Sequence, residues 1–328
     1  MGNVLGGGVV RPSACGGVEF TPAGLIYHAA VSIAGVALGA ALTYLHAQET
    51  RQKTPAPRQE PLVVVIDGEI GAGKTTLIEH LRKALEEKGM NVAVVAEPVD
   101  KWQKVGILSE FYADKSPDLR GPVAYNFQTY TFVTRVDETR SVVDANPDAD
   151  VFLLERSIWT DRYVFMELLR DLVGPMYMSM YEEWWGSWAH TMPLCPQKIV
   201  YLKPTISVCQ DRVNERAREG EIVDDCNNGD RTARGGVSTD YQARLRVAHE
   251  AYLQGFHPKA FPKMPPPPFS REDVVVVEGT LADHDFSKPG DAADQTVRHI
   301  VDRILADHDF AKPGDAADQT VRHAGSRH

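Results

Sequence analysis

The stretch that most constrains this chain is residues 62–76, LVVVIDGEIGAGKTT. Its first five residues are apolar and mostly β-branched, which predicts a short strand buried on both faces. Beyond the glycine loop the spacing becomes helical, because apolar residues recur on one stripe and a glycine stands where the helix should end. These residues are Leu77, Ile78, Leu81, Leu85 and Gly89. A strand, a glycine loop and a helix in this order predict a phosphate-binding P-loop.

The pattern GxxxxGK[ST] spans residues 68–75 and gives each polar group a role. Its glycines let backbone N–H groups point inward at phosphate oxygens, and the start of the following helix adds a favourable dipole. Lys74 would reach the outer phosphates, and the hydroxyl of Thr75 would bind Mg²⁺. The competing interpretation is a glycine-rich turn beside a surface lysine. The predicted nucleotide-binding residues of the loop are Gly68, Gly71, Gly73, Lys74, Thr75 and Thr76.

Composition narrows the class of protein. A chain of 328 residues with 43% hydrophobic side chains has room for one large domain or two small ones. The formal net charge of −10 and the lack of a Lys/Arg stripe argue against nucleic acid as a partner. The cysteines form no CxxC pair, which is typical of a reducing compartment without disulfides or a zinc site. They are Cys15, Cys195, Cys209 and Cys226.

Residues 1–61 comprise a glycine-rich start, an apolar run and a proline-containing linker. The run from Ala23 to Leu45 is uncharged, and as a helix it would extend about 34 Å, enough to cross a bilayer. It therefore indicates a membrane anchor, in competition with a cleaved targeting segment or a start placed too far upstream. The basic residues that follow an anchor would keep the next domain on the cytoplasmic side. These are Arg51, Lys53 and Arg58.

Strands and helices alternate from residue 62 to about residue 305. This alternation predicts an α/β fold of the P-loop NTPase type, with a five-stranded parallel sheet and helices on both faces. Ligands of such sheets bind at the carboxyl ends of the strands, so functional side chains are expected directly after each strand. The β-rich runs are 62–66, 91–96, 151–154, 198–202 and 274–277.

Polar segments do follow the predicted strands. Phosphoryl transfer needs charge neutralisation and an aligned acceptor oxygen. Glu97 could accept the proton of an acceptor hydroxyl, while Glu155 and Arg156 could hold Mg²⁺ and the acceptor oxygen in line. A group of arginines after the fourth strand could close over the transferred group as a lid. These are Arg212, Arg216 and Arg218.

Aromatic residues between these segments offer flat apolar surface for an aromatic acceptor. The amide of Gln128 could read the edge of a base, since it carries both a donor and an acceptor. Each fragment alone fits a solvated helix face or a helix cap, but together behind a P-loop they predict a phosphoryl-transfer site. The aromatic residues are Trp102, Tyr112, Phe127 and Phe165.

The combination of GEIGAGKTT, EPVDKW, NFQTY, ERSIWTDRYVF and the RxxxRxR lid resembles the deoxynucleoside kinase family. Within it, the resemblance is to the deoxycytidine and deoxyguanosine kinase branch, and it extends over residues 62–305. It implies phosphorylation of the 5′-hydroxyl of deoxynucleosides with ATP and Mg²⁺ for nucleotide salvage. It also implies a homodimer, in the cytoplasm or the mitochondrion.

The same resemblance implies a role for each motif residue. Glu97 would be the general base. The other catalytic residues would be Lys74, Arg156, Arg216 and Arg218, and Arg212 and Arg216 would contact ATP. Mg²⁺ would be held by Thr75 and Glu155. The nucleoside would be bound by Glu97, Trp102, Tyr112, Phe127, Gln128, Arg135, Arg156, Asp161, Phe165 and Glu221. In this set Phe127 and Phe165 enclose the base, and Tyr112 and Glu221 bind the sugar 3′-hydroxyl.

Arg135 and Asp161 stand where family members that accept cytosine or purines carry an Arg and an Asp. A buried Arg and carboxylate would fix each other bidentately and would disfavour any base whose groups do not match. We therefore expect deoxyguanosine, deoxyadenosine or deoxycytidine to be preferred over thymidine, with Thr131 tuning the choice among them. The competing interpretation is a structural ion pair.

Two segments depart from the family pattern. Ser116-Pro117 and Gly121-Pro122 suggest an extra loop between Tyr112 and Gln128, and residues 224–236 form an insertion that we expect to be mobile. In addition, LADHDFSKPGDAADQTVRH at residue 281 recurs from residue 305 with one substitution. The first copy should lead into the last helix, whereas residues 306–328 are expected to be a disordered duplicate.

Two other functions compete with a deoxynucleoside kinase. A nucleoside monophosphate kinase of the thymidylate type shares the P-loop, but it would need an extra cationic contact near Glu97. A kinase-like subunit of respiratory complex I resembles the family without its activity, and the apolar run before residue 61 favours it. An intact set of catalytic residues argues against this scaffold.

Overall fold

In the computed structural model, five strands pair in the order β2-β3-β1-β4-β5, and every pairing is parallel. The strands are β1 (Leu62–Gly68), β2 (Val92–Val95), β3 (Val151–Glu155), β4 (Lys198–Lys203) and β5 (Val274–Glu278). The P-loop therefore leaves from the central strand. In open α/β sheets ligands bind at the carboxyl ends of the strands where the strand order reverses, and that place here is the end of β1.

Helices cover both faces of the sheet. Alternate residues of β1 point to opposite faces, so Val64 and Ile66 lie in one core with Leu81, while Val63 and Val65 lie in the other. The predicted α/β fold with helices on both faces is confirmed. The helices are α1 (Lys74–Glu87), α2 (Val99–Lys104), α3 (Ile107–Tyr112), α4 (Pro117–Ala145), α5 (Arg170–Ala189), α6 (Ile206–Arg216), α7 (Thr239–Gln254) and α8 (Asp291–Leu305).

The structure describes residues 60–113, 117–216, 218, 221, 236–254, 267–286, 290–306 and 308. The run from Ala23 to Leu45 lies outside these ranges, as do all but the last residue of the insertion and nearly all of the second repeat copy. Among the helices that the structure does describe, none is long and apolar enough to cross a membrane.

The prediction of an extra loop at Gly121 and Pro122 is wrong, because both residues lie inside the long helix α4. Pro117 begins the same helix, and Ser116 lies outside the described residues. A side chain at Gly121 would place its Cβ 2.7 Å from the carbonyl oxygen of Leu172, so glycine lets α4 approach the neighbouring segment closely. Pro122 has no N–H to donate to the carbonyl four residues earlier, but this missing bond lies near the start of the helix. Gly121 therefore serves helix packing, and neither residue forms a turn.

The first copy of the repeat packs where the sequence predicts the last helix. After β5 a short helix, Thr280–Asp283, leads through a loop into α8. Phe286 from the loop and Ile300 and Ile304 from α8 are buried in the same core as α1. The second copy continues as AGSRH, so it has no counterpart of these two isoleucines.

Candidate active site

A cavity of about 370 Å³ opens at the carboxyl ends of the central strands, a size that suits a small ligand. Its lining combines residues of the P-loop, aromatic side chains and charged side chains. The predicted site residues that line it are Gly71, Lys74, Thr75, Glu97, Trp102, Tyr112, Phe127, Gln128, Arg135, Glu155, Arg156, Asp161, Phe165, Arg216, Arg218 and Glu221. The fold thus brings together segments that are far apart in the sequence.

The loop after β1 has the backbone that its glycines allow. Gly71 and Gly73 have φ values of 81° and 97°, which side chains rarely tolerate. A Cβ at Gly68 would lie 2.3 Å from the carbonyl oxygen of Leu202, and one at Gly71 would lie 2.3 Å from that of Cys209. Gly73 then caps the start of α1. The loop and the helix start together form a cradle suited to phosphate oxygens.

The polar side chains that follow this loop meet one carboxylate. Lys74 Nζ lies 3.9 Å from Glu155 Oε1, and the hydroxyl of Thr75 donates to Glu155 Oε2 at 2.8 Å. A hydroxyl beside a carboxylate is an oxygen set that suits Mg²⁺ bound to phosphates. Burial and the charge of Arg156 lower the pKa of Lys74 to about 8.

Glu97, the predicted general base, is held by two guanidinium groups. Arg156 Nη1 donates to both carboxylate oxygens at 2.8 and 2.9 Å, and Arg135 Nη2 donates to Oε1 at 3.0 Å. Burial acts to raise the pKa of Glu97, but the charges of Arg156 and Arg135 hold it well below its ordinary value. Glu97 therefore stays ionised, and its oxygens can orient a hydroxyl that donates to them.

Arg156 has the only positive φ, 61°, among non-glycine residues that the structure describes. Its backbone N–H donates to the Ile66 carbonyl at 3.0 Å, and its Nη2 donates to the Gly68 carbonyl at 3.1 Å. The guanidinium also lies 5.0 Å from the ring centroid of Phe165. Left-handed backbone costs about 1–2 kcal/mol, so the surrounding contacts impose this position on the side chain.

Arg135 bridges two carboxylates, so the expected bidentate pair with Asp161 is wrong. Its Nε donates to Asp161 Oδ2 at 2.9 Å, Nη1 donates to the Glu155 carbonyl at 2.8 Å, and Nη2 reaches Glu97. Only one oxygen of Asp161 is thereby used. Burial raises the pKa of Asp161 despite the charge of Arg135.

Three side-chain oxygens of the cavity wall are buried and have no hydrogen-bond partner among the described residues. They are Gln128 Oε1, Thr131 Oγ1 and Asp161 Oδ1. Asp161 and Phe165 share the π-helical turn Asp161–Met166, a feature common at functional sites. Buried polar atoms are normally satisfied, so this part of the cavity suits a polar, planar ligand such as a base.

The aromatic wall is fixed by its own contacts. Phe127 stacks on Phe111 with ring centroids 4.6 Å apart, and Trp102 meets it edge-on at 5.8 Å. Trp102 Nε1 also donates to the hydroxyl of Thr134 at 2.8 Å. A ring that enters the cavity therefore meets a rigid apolar surface.

The predicted lid residues divide into two groups. Arg216 and Arg218 both bind Glu221 at the cavity, with Arg218 Nη1 at 3.2 Å from Glu221 Oε1. Arg212 lies elsewhere, because its guanidinium donates to the carbonyls of Ala72, Asp283 and His284. It supports the P-loop from behind, and a contact of Arg212 with ATP stays a prediction.

Some residues near the site were not predicted from the sequence. Tyr241 lines the cavity and meets Tyr112 edge-on, with ring centroids 6.3 Å apart. Asp67 lies beneath the P-loop, where His249 Nε2 is 2.9 Å from Oδ1 and Thr160 donates to Oδ2 at 2.6 Å. Burial acts to raise the pKa of Asp67, but the charge and hydrogen bond of His249 lower it to about 2. The sequence signal for Asp67 is an acidic residue at the end of an apolar strand.

Comparison with known proteins agrees with this geometry. The family model described as deoxynucleoside kinase matches residues 64–304. A probable deoxycytidine kinase of fowlpox virus is 32% identical over 193 residues, 58% of this chain and 71% of the relative. Human mitochondrial thymidine kinase 2 is 29% identical over 237 residues, 70% of this chain and 74% of the relative. Mouse deoxycytidine kinase is 26% identical over 210 residues, 58% and 74% of the two chains.

Proposed function

This chain belongs to the deoxynucleoside kinase family, and we propose that it transfers the γ-phosphate of ATP to the 5′-hydroxyl of a purine or cytosine deoxynucleoside. The observation that carries the proposal is one cavity with a phosphate cradle, an ionised Glu97 and a base-sized pocket with unpaired polar atoms. A nucleoside placed with its base against Phe127 would direct its 5′-hydroxyl toward the P-loop.

In this reaction the P-loop and Lys74 bind the phosphates of ATP. Thr75 and Glu155 would hold Mg²⁺, which supplies positive charge to the phosphates. Glu97 accepts a hydrogen bond from the 5′-hydroxyl and aligns its oxygen for attack. Because phosphoryl transfer has a loose transition state, alignment and charge neutralisation matter more than the basicity of Glu97. Its low pKa is therefore compatible with this role.

The lid arginines supply the remaining positive charge. Arg216 and Arg218 are bound to Glu221, next to Tyr112, in the structure described here. A sugar 3′-hydroxyl that donates to Glu221 would compete for that carboxylate and free the arginines for the transferred phosphoryl group. Binding of the nucleoside would thus prepare the lid for ATP.

The preference among bases rests on Asp161. Adenine, cytosine and guanine each carry an exocyclic amine, whereas thymine has none. The unpaired Oδ1 of Asp161 can accept a hydrogen bond from such an amine, and Arg135 holds the carboxylate in place. A base without an amine would leave this buried oxygen unsatisfied, which costs about 1–3 kcal/mol.

ATP-dependent phosphorylation of the four deoxynucleosides by the full chain tests the proposal. Turnover with a purine or cytosine deoxynucleoside is the expected result. Thymidine as the best substrate would contradict the base preference. Phosphorylation of a monophosphate but no nucleoside would indicate the thymidylate type of kinase, and purification with a large membrane assembly without turnover would indicate a scaffold.

The lowered pKa of Lys74 predicts an alkaline limb in the pH profile. Below about pH 8 the free enzyme carries the ammonium that ATP needs, and above it the ammonium is lost. We expect kcat/KM for ATP to fall up to tenfold per pH unit above pH 8, because this parameter reports the free enzyme. At saturating ATP the bound phosphates stabilise the ammonium of Lys74. The fall in kcat should therefore begin at a higher pH than the fall in kcat/KM. A kcat/KM for ATP that stays constant to pH 10 would contradict this assignment.

We expect a homodimer that uses one face of α5. Met180 follows Met176 by four residues and Trp188 follows Met180 by eight. The three side chains are 63%, 49% and 41% exposed, although large apolar side chains usually avoid water. A stripe of this kind on two copies can pair with itself. Light scattering should give twice the chain mass, and Met176→Glu should halve it. The control Val247→Glu changes an equally exposed apolar residue on α7 and should leave the dimer intact.

We propose the mitochondrion or the cytoplasm as the location, from the resemblance to the deoxynucleoside kinase family. One relative is named as mitochondrial, and the cytoplasm is the other location that we consider. Any membrane attachment would come from Ala23 to Leu45, with the kinase domain on the cytoplasmic side. Fractionation of cells that express the full chain would distinguish a membrane-bound protein from one that is not.

A further inference from the structure

Helix α7 contacts the P-loop from below through three polar side chains on one face. Gln242, Arg246 and His249 lie at positions i, i+4 and i+7, and none of them lines the cavity. Gln242 Nε2 donates to the Ile70 carbonyl at 2.7 Å, and Arg246 Nε donates to Glu69 Oε1 at 2.7 Å. His249 reaches Asp67 at the end of β1. The loop is thus held at three points by a helix that follows the lid.

Glu69 places a carboxylate inside a loop whose proposed ligand is a polyanion. Its side chain is fully buried. Oε1 accepts from Arg246 and from the hydroxyl of Tyr201 at 3.1 Å, while Oε2 has no partner among the described residues. Without a positive charge beside it, this carboxylate would repel the phosphates and would favour a displaced loop.

Arg246 is the cation that meets this carboxylate. Its guanidinium also donates to the carbonyl of Pro204, which follows β4, so its position is fixed from two sides. Lys74, the other nearby cation, donates to the backbone carbonyl of Glu69 at 3.0 Å rather than to its carboxylate. Arg246 therefore neutralises Glu69, so that Lys74 does not have to pair with this carboxylate.

We propose that Arg246 is a positioning residue for ATP, which acts through Glu69 to keep the P-loop in its phosphate-binding shape. The proposal rests on the proposed function in one respect, that ATP is the ligand of this loop. A purely structural ion pair would not make this prediction: loss of Arg246 weakens ATP binding, and removal of the Glu69 charge restores it.

The test is calorimetric binding of ATP, with excess MgCl₂, to the full chain and its variants. Arg246→Met should weaken ATP binding about tenfold, while Glu69→Gln alone should bind at least as tightly as the unchanged protein. The double variant Glu69→Gln/Arg246→Met should recover affinity to within about threefold. Arg244→Met, an exposed arginine on the same helix, is the matched control and should have no effect.

Two further measurements separate positioning from folding. Melting temperature reports the stability of each variant, and KM for the nucleoside should change less than twofold in all of them. Equal ATP affinity in Arg246→Met and the unchanged protein would overturn the proposal. A double variant that melts normally but binds ATP as weakly as Arg246→Met would also overturn it.

The double variant also decides the matter if Arg246→Met fails to fold. In that case a folded double variant with near-normal ATP affinity supports the proposal, and a double variant that is unfolded or does not bind overturns it. If the unchanged protein binds no ATP, the proposed function fails instead, so the two failures are distinguishable.

Discussion

Glu97→Gln is expected to lower kcat for nucleoside phosphorylation about a thousandfold, which is within the range for loss of an acid–base group. The amide keeps the size of the side chain but removes the negative charge that Arg156 and Arg135 hold in place. Its NH₂ group would also oppose one of the two guanidinium groups, so the oxygen that aligns the 5′-hydroxyl is lost or turned away. Steady-state kinetics with a deoxynucleoside and ATP would measure the loss.

The binding of ATP separates this effect from misfolding. No P-loop group donates a hydrogen bond to Glu97 among the described contacts, so ATP affinity should change less than threefold in the variant. Glu79→Gln, a surface carboxylate of α1 whose side chain is 51% exposed, is the matched control and should retain full activity. If Glu97→Gln keeps more than a tenth of the activity, Glu97 is not the group that aligns the acceptor.

Asp161→Asn is expected to shift the base preference toward thymidine about a hundredfold. The amide oxygen can still accept from Arg135 Nε, so the buried pair is not broken outright. The atom that faces the cavity then becomes an NH₂ donor, which repels an exocyclic amine and suits the O4 carbonyl of thymine. Sites that hydrogen-bond a substrate group discriminate strongly against analogues that lack it.

The measurement is the ratio of kcat/KM for deoxycytidine or deoxyadenosine to that for thymidine. Asp137→Asn, on the exposed side of α4 with a side chain 70% exposed, should leave the ratio unchanged. An unchanged ratio in Asp161→Asn, with normal ATP affinity, would mean that Asp161 serves only the ion pair with Arg135.

Most of the fold could be predicted from local patterns. The buried strand before the P-loop, the apolar stripe of α1 and the alternation of strands and helices are all properties of short windows, and all of them are found in the structure. Glu97, Glu155 and Arg156 could be expected to lie together because parallel strands end at one edge of the sheet, whereas the residues of α4 were expected from the family resemblance. In chains of this architecture, the sequence therefore indicates which residues gather at the site before their geometry is known.

The geometry within the site could not be predicted in the same way. Arg135 bridges Asp161 and Glu97 because three separate elements converge on it, and no spacing in the sequence reports that convergence. Likewise, Gln242, Arg246 and His249 have helical spacing, but their partners lie more than 170 residues earlier in the chain. Gly121 and Pro122 resemble a turn until the neighbouring backbone of Leu172 is known.

The central position of β1 has a consequence for biosynthesis. Among the strands that the structure describes, β1 leaves the ribosome first, yet its two neighbours, β3 and β4, begin 89 and 136 residues after Leu62. Asp67 and Glu69 lack their partners His249 and Arg246 until α7 has also been synthesised. Long-range parallel pairing is slow to form, and exposed apolar strands aggregate while they wait. The nascent strand thus needs protection during most of translation, and a fragment that ends before α7 cannot assemble the P-loop.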